Sequence, residues 1–152
     1  MLAIIVLIVV LVGLTLLVHY ETLRVATDAL PRSGLPPRGR ILALVGLVFC
    51  AHVAEIGLYA GAYFAVAAAS DLGALAVDGR TTSDFADYVY FSFGSYTSLG
   101  LGDIVPIGPV RLLAGVETLN GLLLIGWSTS MTYLAMEKFW PLHVRRDRHP
   151  HG

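Results

Sequence analysis

Three long apolar runs limit what this chain can become: residues 2–18 (LAIIVLIVVLVGLTLLV), 41–69 (ILALVGLVFCAHVAEIGLYAGAYFAVAAA) and 112–136 (LLAGVETLNGLLLIGWSTSMTYLAM). A helix crosses the roughly 30 Å hydrocarbon core of a bilayer with about 20 apolar residues, and each run reaches that range, the first near its lower limit. Hydrophobic residues fill 56% of the 152 positions and charged ones 14%, more apolar surface than a soluble domain of this length buries. The expected class is an all-α membrane protein with three transmembrane helices. The first run does not read as a secretory leader, because no Lys or Arg precedes it and no small-residue cleavage site follows before HYETLR.

The net charge of -1 gives no bulk attraction to nucleic acid, and no nucleic-acid partner is expected. The distribution of charge says more. Arg24, Arg32, Arg38 and Arg40 lie between the first two runs, and Lys138, Arg145, Arg146 and Arg148 follow the third. Residues 70–109 instead carry Asp71, Asp78, Asp84, Asp87 and Asp103 against the single Arg80. By the positive-inside rule the N-terminus is outside, the 19–40 loop and the tail are cytoplasmic, and the 70–109 connection faces out, in a multi-pass protein of the plasma membrane. No span repeats Arg at every third position, which argues against voltage sensing. Cys50 is the single cysteine; it forms no intrachain disulfide and reads as a packing residue.

The expected organisation is a peripheral helix over 1–23, a cytoplasmic linker over 24–40, a core over 41–138 and a tail over 139–152. The linker holds ALPRSGLPPRGR, with three prolines and two glycines that break helix. The tail is too short to fold as a ligand-binding domain, so no obligate cytoplasmic domain is evident. Phe139 and Trp140 read as an interfacial anchor beside Lys138.

The outer connection departs from a plain helical hairpin. After the polar stretch SDLGALAVDGRTTSD comes FADYVYFSFGSYT, then TSLGLGD. A helix is expected over 84–96, capped by Ser83 or Thr82, with Asp84 and Asp87 in its first turn. It is too short to span and suits a re-entrant helix. Irregular backbone at membrane depth is tolerated only where protein holds it or water wets it, so the segment after such a helix should line a pore.

Thr97, Ser98, Leu99, Gly100, Leu101, Gly102 and Asp103 resemble the filter of the potassium-channel superfamily, which reads T-T/S-V/I/L-G-Y-G-D. The resemblance covers roughly residues 41–138. It implies an outer helix over 41–69, a pore helix over 84–96, a filter over 97–103 and an inner helix over 110–138. It further implies a homotetramer among membrane lipids, passing K+ ions and holding no organic cofactor; no enzyme activity is expected. A filter replaces the ion's water shell with rings of backbone carbonyls. Aiming successive carbonyls at one axis needs backbone conformations that glycine adopts cheaply, which explains Gly100 and Gly102. K+ sites are expected at Ser98, Leu99, Gly100 and Leu101.

Two positions depart from the pattern. Leu101 replaces a Tyr that braces the filter against pore-helix aromatics, leaving Tyr90 and Phe91 to support it by apolar packing. Gly94 stands where some relatives carry an acid that pairs with the residue equivalent to Asp103. The alternative readings are a weakly selective monovalent cation channel, the pore subunit of a cation-uptake system, and a non-conducting membrane scaffold.

Other polar residues fall within the spans. Glu117 and Asn120, one turn apart, are expected to brace the pore loop from behind. Gly121 lies where relatives often carry a gate hinge, with a close helix contact as the alternative. Ser128, Thr129, Ser130 and Thr132 face a cavity or bond their own backbone. His52 and Glu55 share a helix face, level with Trp127 and Ser128, and pair with each other or with the first helix. HVAE does not match the H-E-x-x-H zinc helix.

Overall fold

The computed structural model describes residues 1–69 and 72–139; Asp71, Trp140 and the tail arginines and histidines lie outside the described residues. Four helices carry the chain: α1 (Leu2–Ala29), α2 (Pro37–Ala69), α3 (Phe85–Tyr96) and α4 (Val110–Phe139). Three segments are long and apolar enough to cross a membrane: Leu2–Arg32, Pro37–Ala68 and Val110–Phe139. Helix α1 continues six residues past 23, and a 3-10 turn at Leu30–Arg32 ends it. Pro37 is the first residue of α2, where a missing N–H is harmless and the fixed φ suits helix. The proline-rich stretch is thus shorter as a linker than its composition suggests.

The outer connection is not wholly helical. Strands β1 (Ala74–Val77), β2 (Arg80–Thr81) and β3 (Ile104–Ile107) form an antiparallel sheet in the order β2-β1-β3. Val77 pairs with Arg80 across the two-residue turn Asp78-Gly79, whose φ values are 48° and 77°. This is the positive-φ geometry that suits a tight hairpin to the twist of its strands. On the other edge Ala74 pairs with Ile107 and Val77 with Ile104. The residues directly after Asp103 are therefore sewn to the chain leaving α2. The chain remains mostly helical, as an all-α membrane protein should be; the short sheet is an addition to that class, and its pairing satisfies the backbone of a connection too polar and turn-rich for helix.

Asp84 caps α3 with its own side chain, accepting from the Ala86 N–H at 3.0 Å. Thr82 stands one step outside, where its hydroxyl accepts from the Asp84 N–H and donates to Asp87. Neither Thr82 nor Ser83 is the cap. Twelve residues give α3 a length of roughly 18 Å, and it packs between α2 and α4. Its own Tyr88, Phe91 and Tyr96 share a buried cluster with Tyr59, Tyr63, Leu113 and Leu124, with the Tyr63 and Phe91 rings edge to face at 5.3 Å. Such aromatic contacts add about 0.5–1.5 kcal/mol to simple burial.

Helix α1 lies on α2 and α4 through one stripe: Ile4, Leu11, Thr15, His19, Leu23 and Ala26 are buried. Steps of three, four and seven residues keep these on one face. Two members of the stripe are polar, and both find partners on the other helices.

Candidate functional site

The segment after α3 has an alternating backbone. Ser98, Gly100 and Gly102 have φ of 58°, 53° and 83°, whereas Leu99 and Leu101 stay on the negative side. Alternation between left- and right-handed residues turns successive carbonyls toward the same side of the chain, and it is cheap only where glycine occupies the left-handed positions. Two of the three are glycine. The start of the segment is tied to the helix it leaves: Leu99 and Gly100 donate N–H bonds of 2.9 and 3.3 Å to the Gly94 carbonyl, and Ser98 donates to Ser95. These bonds satisfy the last carbonyls of α3, as helix termini require.

Behind the segment, Glu117 of α4 is fully buried. Tyr63 of α2 donates to its carboxylate at 2.7 Å, and Ser92 of α3 donates to the other oxygen. Ser92 also reaches the Ile56 carbonyl at 3.0 Å. A buried carboxyl is tolerable only with such partners, and this one links α2, α3 and α4. Glu117 of α4 therefore holds α3 against α2. Asn120 turns elsewhere: its amide donates to Thr15 at 2.8 Å and to Tyr59 at 3.1 Å. It ties α1 to the core, because the i,i+3 step falls about 60° short of a full turn and aims the amide away from the partners of Glu117.

Residues 52–138, more than half of the chain, match a family described as ion channel. The chain belongs to the ion channel family. The matched stretch is a two-helix pore domain of potassium-channel type, beginning inside α2 and ending at Lys138, so α1 lies outside it. No curated protein and no solved structure matches the chain.

In this channel Gly121 is a contact point. A Cβ there would stand 2.2 Å from the Tyr96 carbonyl oxygen and 2.9 Å from its ring, so α4 and the end of α3 touch through bare backbone. Helix α4 runs unbroken past this point, which favours the close-contact reading of Gly121. Thr129 and Ser130 donate to their own backbone at Ile125 and Gly126, the plainer of the two roles expected for them.

A gap of about 40 Å³ lies between α3 and the segment after Leu99 in this channel, lined by Tyr90, Phe91, Gly94, Ser95 and residues 100–104. Tyr90 and Phe91 thus border a water-sized space beside Leu101. The Asp103 carboxylate accepts from the Ile104 N–H at 3.1 Å, and Tyr90 borders the same gap.

At the end of α3 the channel holds a polar junction that sequence reasoning caught in part. Glu55 meets His19 Nδ1 at 3.0 Å, His52 Nδ1 at 3.2 Å and the Tyr96 hydroxyl. Ser128 Oγ lies 2.9 Å from His52 Nε2 and 3.1 Å from His19 Nε2. The expected level match between His52 and Ser128 is borne out, and the partner on the first helix is His19. That residue went unmarked because it ends an apolar run, where a solvated imidazole is unremarkable. Its signal was its place on the buried stripe of α1.

Proposed function

We propose that this chain forms a homotetrameric, potassium-selective channel in which Thr97, Ser98, Leu99, Gly100, Leu101, Gly102 and Asp103 are the filter. The carrying observation is the left-handed backbone at Ser98, Gly100 and Gly102 directly after a pore helix. Four such strands around one axis supply the carbonyl rings that replace K+ hydration, at Ser98, Leu99, Gly100 and Leu101. The C-terminal end of α3 adds partial negative charge on the cavity side, which favours a cation. Leu99 and Leu101 are 65% and 60% exposed in the single chain, consistent with a segment completed by neighbouring copies. The charge asymmetry of the loops orients the protein in the plasma membrane with the filter outward and the tail cytoplasmic.

A weakly selective monovalent cation channel is the second reading, favoured by the gap beside Leu101, since a filter free to contract fits smaller ions. Purified protein in liposomes, assayed for potassium against sodium flux, separates the two. Equal fluxes support the second reading, and no flux of either ion sinks both. The solubilised assembly should have a protein mass near four times 16.3 kDa; a dimer as the sole species is incompatible with a filter built from one loop per chain.

A further inference from the structure

We propose that His19, His52 and Glu55 form a divalent transition-metal site of the Zn2+ class, with Tyr96 as the fourth donor. One donor atom from each of the first three lies within 4.8 Å of the others. Both imidazoles turn Nδ1 toward the Glu55 carboxylate, at 3.0 and 3.2 Å, and the Tyr96 hydroxyl is 2.8 Å from His52 Nδ1. Tetrahedral coordination with metal–ligand bonds of about 2.0–2.1 Å needs ligand separations of roughly 3.3 Å, so small shifts suffice to admit an ion. Two imidazole nitrogens and one carboxylate suit Zn2+, Co2+ or Ni2+ better than Ca2+ or Mg2+, which take oxygen cages.

The outer partners carry the argument further. Both Nε2 atoms meet the same Ser128 hydroxyl, which has one proton and so can donate to only one of two neutral, Nδ1-protonated rings. A metal on both Nδ1 atoms places the ring protons on both Nε2 atoms, and the two lone pairs of Ser128 accept both. A ligating histidine typically donates its other N–H to such an acceptor. There is also a way in: His52 and Ser128 line a groove of about 480 Å³ between α2 and α4. An ion held there would join α1, α2 and the last turn of the pore helix, two residues before Ser98.

The test titrates Co2+ into the full-length solubilised protein, without a histidine tag, in a background carrying Cys50→Ser, His143→Gln, His149→Gln and His151→Gln to remove competing ligands. The expected result is saturation at one Co2+ per chain, with the strong visible absorption of four-coordinate Co2+, displaced by Zn2+. His19→Gln in that background should weaken binding at least about 100-fold. Absent binding, only weak octahedral-type absorption, or equal affinity in His19→Gln overturns the site. If His19→Gln does not fold, melting of the background protein decides: Zn2+ raises Tm if it binds the folded state, and an unchanged Tm overturns the proposal. A junction that holds only an extra proton would fail both measurements. None of these readouts requires ion flux, so failure of the metal site is distinguishable from failure of the channel reading.

Discussion

Gly121 and Tyr96 meet through backbone, in a space that leaves no room for a side chain between the inner helix and the end of the pore helix. Gly121→Ala must push one of them aside, and backbone cannot rotate out of the way as a long side chain can. Overpacking of this kind costs roughly 1–3 kcal/mol, and Tyr96 directly precedes residues 97–103. The mutant should melt lower than wild type and lose most of its flux. A mutant of unchanged Tm with altered opening would instead mark Gly121 as a hinge.

Glu117 offers a second measure of how the pore helix is held. Tyr63→Phe removes one donor to a carboxyl with no exposed surface and should destabilise the folded protein by roughly 1–3 kcal/mol. Glu117→Gln keeps the shape and should cost less than Glu117→Ala, which also leaves Ser92 and Tyr63 without their shared partner. Thermal melting of the three variants checks the order. A loss confined to Glu117→Ala would mean that volume, not hydrogen bonding, governs this position.

These supports were unevenly legible in the sequence. The three spans could be read from apolar length and the short helix α3 from its acidic start, and the heptad TSLGLGD pointed to the channel family, because those features follow from bilayer thickness and helix-end and backbone chemistry. Glu117 stood out as an acid in an apolar helix. The sheet was missed although Asp78-Gly79 is a strong hairpin signal: its strands are short, and β3 pairs with residues about thirty positions earlier. The direction of Asn120 and the role of His19 depend on how α1 docks, and tertiary packing of a helix outside the matched pore domain leaves little trace in local spacing.

The filter assignment stands or falls on Gly100. Its φ is 53° and a Cβ there would meet no other atom of the chain within 4 Å, so any effect of Gly100→Ala within the chain is conformational, not steric. The left-handed region penalises an L side chain by roughly 1–2 kcal/mol, enough to favour a rotated peptide whose carbonyl leaves the ring. Potassium flux should be abolished while membrane insertion and Tm stay close to wild type. Wild-type flux in this mutant would exclude residues 97–103 as the conducting path.

Leu101 tests whether the gap beside the filter sets selectivity. The space of about 40 Å³ borders Ser95, Tyr90 and Asp103, so a tyrosine at 101 has both room for part of its ring and polar groups within its surroundings. Leu101→Tyr should therefore fill the gap, and a hydroxyl that finds a partner adds about 1 kcal/mol to the brace. Stiffening the outer carbonyls against contraction should raise the potassium-over-sodium ratio by roughly fivefold, the equivalent of that energy. Reversal potentials and melting of the two proteins measure both effects. A drop in Tm with unchanged selectivity would mean that the hydroxyl is buried without a partner. No change in either would place residue 101 away from the pore helix, against the geometry of the gap.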